Sequence, residues 1–179
     1  MDVKWINEPS STDRSGDIPK KTQAKRIGFF LILFFCALLC TAALTLRLAG
    51  IQVCIVQGHS MDNTLFDGER LFINSSAEPR FGDIAVFRYG ESYVIKRVIG
   101  LPGDTVSCVD GTLCVNDVAY EEGYLTPALC EEFETSSFLA SVGEGEYFVL
   151  GDNRDNSRDS RVFGCLPEEA FVGVAIFKL

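Results

Sequence analysis

The sequence predicts an all-β domain, folded as packed antiparallel sheets or a partial barrel, behind one N-terminal transmembrane helix. Three observations predict it. An uncharged run of twenty residues, Ile27–Leu46, stands near the N-terminus. Beyond it, short runs rich in Val, Ile, Phe and Tyr recur between Gly, Asp, Asn and Pro, the punctuation of strands and tight turns. No segment after residue 50 keeps an apolar period of 3.6 over enough length for a long amphipathic helix. With 47% hydrophobic and 23% charged residues among 179, the chain can build a core and is too apolar to stay disordered.

Residues 1–26 are polar, without an apolar period, and read as a flexible cytoplasmic tail. Residues 27–47 read as the transmembrane helix, because twenty residues at 1.5 Å each cover a hydrocarbon core of about 30 Å. A cleaved secretory signal has a shorter apolar region, about 7–15 residues. Lys20, Lys21, Lys25 and Arg26 precede the run and only Arg47 follows closely. The positive-inside rule therefore puts the N-terminus in the cytoplasm, and residues 48–179 form an extracytoplasmic domain. Only thirteen residues, Arg47 to His59, separate Leu46 from Ser60. Fully extended they reach about 45 Å, so Ser60 stays near the outer membrane surface. Exposed apolar residues are expected on the domain near the anchor, adding contact with the bilayer.

Strands are expected at Arg70–Asn74, Asp83–Tyr89, Tyr93–Gly100, Thr105–Val109, Leu113–Val118, Glu146–Leu150 and Val172–Leu179. Asp110-Gly111 between two of them is a tight-hairpin signal. Glu121–Val142 is the least patterned stretch and reads as a surface excursion. Of seven cysteines, Cys36 and Cys40 lie in the apolar run and pack there as small apolar residues. Cys108 and Cys114 flank the expected hairpin turn, and a disulfide between them is expected if the register allows it. Cys54, Cys130 and Cys165 remain unpaired by any pattern, and no C-x-x-C indicates a zinc or thioredoxin-type site.

Charge and histidine count narrow the chemistry. The first fifty residues hold seven Lys/Arg against four acids, which leaves −12 of the net −9 on the remainder. So acidic a domain argues against a nucleic-acid partner. The single histidine, His59, rules out metal sites built on several histidines; no metal or cofactor is expected. Beside Ser60 in sequence, its ring should point elsewhere, which makes it a poor candidate base.

Three segments are unusual for a plain β domain. Gly58-His59-Ser60-Met61-Asp62-Asn63-Thr64-Leu65 is a small-residue turn presenting a serine. In Tyr93–Asp104, strand alternation puts Lys96 on the same apolar side as Val94 and Val98. A buried lysine sheds its proton to avoid the cost of an isolated charge. Gly151–Arg161 is dense in hydrogen-bonding groups and follows an apolar strand. The residues alone leave two readings open. Ser60 is a nucleophile with neutral Lys96 as its base, or Ser60 is a turn residue, Lys96 snorkels to solvent, and 151–161 is a solvated loop.

On these segments the chain resembles the bacterial type I signal peptidases, membrane-bound Ser–Lys serine endopeptidases that remove signal peptides from exported proteins. Gly58-His59-Ser60-Met61 with Thr64-Leu65 matches the family's nucleophile box, Tyr93–Asp104 its lysine box, and Gly151–Arg161 with Phe163-Gly164 its polar box. The resemblance implies Ser60 as nucleophile, Lys96 as general base, and Ser157 as the hydroxyl orienting the lysine. It implies two supporting ion pairs, Arg97 with Asp152 and Asp159 with Arg161, and the Ser60 N–H as an oxyanion donor. Gly58 stands where many members carry a second oxyanion hydroxyl, and Asn63 where proline is usual. Signal peptides end in small residues before the cut, so shallow subsites are implied, with Met61, Leu65, Val94 and Ile95 as candidate walls. Implied partners are the signal peptides of preproteins, the lipid bilayer of the cytoplasmic membrane and the export machinery. A specialised processing peptidase of the same family is the alternative enzyme. A self-cleaving repressor-like peptidase is disfavoured by the anchor. A membrane-tethered β module that binds without catalysis is the alternative outside enzymes, and it would tolerate Ser60→Ala and Lys96→Ala.

Overall fold

The computed structural model describes residues 20–129 and 137–179. The chain forms two compact units, one ending at Ala43 and one running from Leu44 to Leu179. Helix α1 spans Lys20–Leu48, so the last residues of the expected polar tail, Lys20–Arg26, are helical. The rest of that tail lies outside the described residues. Within α1, Arg26–Thr45 is long and apolar enough to cross a membrane. Its apolar side chains are uncovered all round, Phe30 at 66% and Phe34 at 69% exposure, which a core helix of a soluble domain would not leave so. The helix ends through Ala49 and Gly50, whose N–H groups return to Thr45 and Arg47. Gly50 has φ +76°, and a Cβ there would meet the Ser76 hydroxyl at 2.5 Å, so glycine is required twice over.

The second unit is two antiparallel sheets. The strands are β1 (Ile51–Ile55), β2 (Arg70–Asn74), β3 (Ile84–Tyr89), β4 (Ser92–Gly100), β5 (Thr105–Val109), β6 (Thr112–Val115), β7 (Val118–Ala119), β8 (Phe138–Ser141), β9 (Glu146–Leu150), β10 (Leu166–Pro167) and β11 (Phe171–Lys178). The larger sheet runs β1-β2-β11-β3-β4-β9-β10 and the smaller β7-β6-β5-β8. This is the expected class of packed antiparallel sheets behind one apolar helix. A single helical turn, α2 (Ser160–Phe163), is the only α-helix described after residue 50.

Strand β4 sits near the middle of the large sheet, with Arg97 opposite Ile84 on β3 and Leu150 on β9. Ile99, Phe148 and Leu150 from this sheet pack with Val106 and Leu113 from the small one. At Gly100 a Cβ would meet Val106 and Val142 within 2.8 Å, so a bare backbone lets the two sheets close. The Asp110-Gly111 hairpin forms as expected, both residues left-handed (φ +48° and +74°) between paired Val109 and Thr112.

That register corrects the disulfide expectation. Cys108 lies opposite Leu113, and Cys114 opposite Ser107. The two cysteines are thus one position out of step and project from opposite faces. Cys114 is a free thiol. Cys54 and Cys165 are also free, and Cys130 lies outside the described residues. The excursion is corrected as well: Phe138–Ser141 is a strand, Val142 is buried, and residues 122–124 dock against the polar loop. Part of that stretch, 130–136, lies outside the described residues.

Candidate active site

The segment after β1 turns sharply. Gly58 takes φ +88°, and the N–H groups of Asp62, Thr64 and Leu65 return to carbonyls of His59 and Met61. Met61 and Leu65, each 2% exposed, plug this turn into a cluster with Val56, Leu71, Ile73 and Val86. Anchoring Met61 inward leaves Ser60 facing outward, half-buried. The polar loop grips the same turn by its backbone: Asn153 N–H donates to the Ser60 carbonyl at 3.1 Å, and Asn153 Nδ2 to the His59 carbonyl at 3.0 Å.

Lys96 reaches this turn from β4. Its Nζ lies 2.6 Å from Ser60 Oγ, and the residue is only 4% exposed. Burial lowers its pKa from 10.5 to about 8, with Arg161 acting in the same direction while Asp159 and Asp152 hold the proton on. A neutral amine 2.6 Å from a hydroxyl can accept its proton and leave an alkoxide.

Both expected ion pairs form, and each is bidentate. Arg97 donates from Nε and Nη2 to the two Asp152 oxygens at 2.8 and 2.6 Å, and from Nη1 to the Gly82 carbonyl. Thr64 Oγ1 donates to the same Asp152 carboxylate. Arg161 donates from Nε and Nη2 to Asp159 at 2.8 and 2.9 Å. Asp159 also accepts from the Gly151 N–H and caps α2 by accepting from the Arg161 N–H. Both carboxylates are fully buried, and each meets several donors, as buried charges must.

Two expectations fail. The Ser157 hydroxyl does not bond Lys96: it is buried without a hydrogen-bond partner. It is packed so closely to Gly151 that a Cβ there would lie 2.2 Å from it. Leu65 walls no groove, because it is committed to the core. Met61, Val94 and Ile95 do border a groove of about 910 Å³ that also contains Ser60 and Lys96. His59 is exposed and turns to Asp62, its Nδ1 3.2 Å from Asp62 Oδ2. Gly58 has open space where a side chain would stand, so no hydroxyl there adds to the Ser60 N–H.

Four contributors were not foreseen. Thr64 bridges the serine turn to Asp152, and Arg154 forms a buried ion pair with Glu122. Tyr124 donates its hydroxyl to Glu122 and lays its ring 3.9 Å beneath the Arg97 guanidinium. Burial and the Glu122 carboxylate push the Tyr124 phenol far above its usual range, so it remains a donor. Arg154 lies in a segment already marked by its density of polar groups. Glu122 and Tyr124 lie in an unpatterned stretch and gave no local signal.

A serine hydroxyl 2.6 Å from a desolvated lysine, on a β scaffold with buried ion pairs behind it, is the arrangement that Ser–Lys hydrolysis requires. The comparisons with known proteins identify the family. The model of the family described as Signal peptidase, peptidase S26 matches residues 28–179. Signal peptidase I of Bacillus licheniformis is 39% identical over 148 residues, 75% of this chain and 80% of that one. Signal peptidase IB of Staphylococcus aureus is 36% identical over 142 residues, 69% and 74% of the two chains. The crystal structure of a signal peptidase I from Enterococcus faecalis superposes with a TM-score of 0.50 at 40% identity, covering 55% of this chain and 97% of that one. The chain belongs to the signal peptidase family.

Proposed function

We propose that this protein removes N-terminal signal peptides from exported preproteins, with Ser60 as nucleophile and neutral Lys96 as general base. The observation that carries the reading is the 2.6 Å approach of a buried lysine to the turn serine. In the first half-reaction Ser60 Oγ attacks the scissile carbonyl while Lys96 takes the hydroxyl proton. The Ser60 N–H, which none of the described hydrogen bonds uses, would face the oxyanion. Lys96 then passes the proton to the departing amine, and an acyl ester remains on Ser60. In the second half-reaction Lys96 takes a proton from water and the hydroxide adds to the ester carbonyl. Lys96 returns that proton to Ser60 Oγ as the ester bond breaks and the signal peptide's carboxylate is freed. Arg97 with Asp152 ties the lysine strand to the polar loop, and Asp159 with Arg161 braces that loop from within.

Substrate and placement follow from the surroundings. The groove beside Ser60 is walled by Met61, Val94 and Ile95, which suits small side chains at the −1 and −3 positions of a signal peptide. Helix α1 is consistent with a membrane-anchored protein, and the lysines before it favour a cytoplasmic N-terminus with the β domain outside. Val53 and Ile55 on β1, and Ile176, Phe177 and Leu179 on or just beyond β11, are exposed, as expected of a surface that lies against lipid. Contact with the export machinery is consistent with this placement.

The test is incubation of the full-length, detergent-solubilised protein with a preprotein, beside Ser60→Ala and Lys96→Ala. Both variants should fold and lose cleavage by roughly 10²–10⁴-fold or more. Near-normal turnover by either would return the domain to a binding module.

A further inference from the structure

We propose that Glu122 and Tyr124 are positioning residues of this peptidase site, forming a strap that holds the serine turn, the lysine strand and the polar loop together. The inference rests on the Ser60–Lys96 reading and extends it to a segment outside the three motif boxes. The strap follows β7, and its contacts fall on three different parts of the site. Asn63 Nδ2, three residues after Ser60, donates to the Tyr124 carbonyl at 2.5 Å. Arg97, next to Lys96, stacks its guanidinium 3.9 Å over the Tyr124 ring. Arg154 of the polar loop donates from Nη1 to Glu122 at 2.8 Å and from Nη2 to the other carboxylate oxygen. Arg154 also donates from Nε to the Gly151 carbonyl, and its own carbonyl accepts from Arg161 Nη2.

Asn63 is what lets the serine turn receive the strap. Its φ of +81° is closed to proline, whose ring fixes φ near about −65°. Asparagine tolerates that left-handed backbone and supplies the amide that reaches Tyr124. The Glu122–Arg154 pair is buried, with side-chain exposures of 7% and 0%. Two desolvated ions are a poor way merely to fasten a loop, since apolar contacts do so without the desolvation cost. Their geometry instead specifies one placement of the strap. Arg97 commits its in-plane donors to Asp152 and Gly82, and the ring of Tyr124 closes one face of the same guanidinium.

Removing the ring frees Arg97 to tilt away from Asp152. The charged groups around Lys96 are Asp159 and Asp152, which hold its proton on, and Arg161, which opposes them. Arg97, Glu122 and Arg154 surround Tyr124 itself. A loosened Arg97 leaves more of the Asp152 charge to act on Lys96, so the amine is harder to deprotonate.

The experiment measures kcat, KM and the pH profile for preprotein cleavage, with rates per folded molecule from thermal unfolding. Full-length Tyr124→Leu, Tyr124→Phe, Asn63→Gly and Ser60→Ala are compared with the parent. Tyr124→Leu should lower kcat by roughly 10–100-fold with KM little changed, because misplacement rather than lost binding is the defect. Its rising pH limb should move to higher pH. Tyr124→Phe keeps the ring and should recover most of kcat and the original limb. Asn63→Gly keeps the left-handed backbone, loses the amide tether and should lower kcat in the same sense; it decides the question if Tyr124→Leu does not fold. Parental kcat and pH limb in Tyr124→Leu, or equal losses in the Leu and Phe variants, would overturn the strap's role. Cleavage surviving in Ser60→Ala would instead remove the parent reading. A dead Ser60→Ala beside a fully active Tyr124→Leu removes the strap alone.

Discussion

At the scale of residues, Lys96 carries the tension between stability and chemistry. A lysine whose pKa falls from 10.5 in the unfolded chain to about 8 in the fold binds its proton less well when folded. Between those two values the unfolded state holds more protons, so stability rises with pH there; below about 8 the full penalty applies. Lys96→Met removes the charge and keeps the volume. At pH 7 it should abolish cleavage yet raise stability by about 1–3 kcal/mol, read from urea unfolding. A destabilised Lys96→Met would mean that the buried lysine contributes to the fold. Lys96→Arg should also be inactive, because guanidinium keeps its proton at working pH. Ser157 makes a separate case. Its buried hydroxyl has no partner, so Ser157→Ala should leave the melting temperature unchanged or slightly raised. A loss of activity larger than any loss of stability would show that the hydroxyl serves the lysine during turnover. Ser60 and Lys96 stand out in the sequence because a serine turn and a lysine on an apolar strand face are local patterns. Those patterns alone leave a plain turn and a snorkelling lysine open, and only the resemblance of all three segments to the signal peptidases favours the catalytic pair. Glu122 and Tyr124 were not, since their meaning comes from partners such as Asn63, Arg97 and Arg154, 27 to 61 positions away by residue number.

At the scale of elements, the polar loop works as a bracket between β9 and β10. Asp159 joins the Gly151 N–H, the start of α2 and Arg161, while Asn153 holds the serine turn by its backbone. Asp152→Asn should leave Arg97 buried beside a neutral amide. The expected cost is about 3–5 kcal/mol, seen as a lower midpoint in denaturant, with activity falling as the lysine strand loosens. An unchanged midpoint would show that Arg97 finds another partner. Most strands could be read from alternation and turn punctuation, Arg70–Asn74, Thr105–Val109 and Glu146–Leu150 to the residue. The expected strand Leu113–Val118 is broken by Asn116 and Asp117, both left-handed at φ +52° and +64°, a turn that Asn and Asp tolerate. β1 was hidden by its nearness to the apolar run, and β8 by the unpatterned sequence before it. Flanking a turn says nothing of parity, and the one-residue offset between Cys108 and Cys114 sends their side chains to opposite faces.

At the scale of the whole molecule, the chain joins an apolar helix to a β domain whose groove opens beside Ser60 and Lys96. Preproteins with Ala at −1 and −3 should be cleaved at least 10²-fold faster than versions with Phe or Lys at −1, compared by kcat/KM. Equal cleavage of all three would show that Met61, Val94 and Ile95 do not form small pockets. The central claim, a neutral Lys96 activating Ser60, is tested most directly by the rate of single-turnover cleavage of one preprotein between pH 6 and pH 10. Because burial pushes the Lys96 pKa down to about 8, the rate should rise about tenfold per pH unit below that value and reach a plateau above it. A rate independent of pH across that range would contradict it.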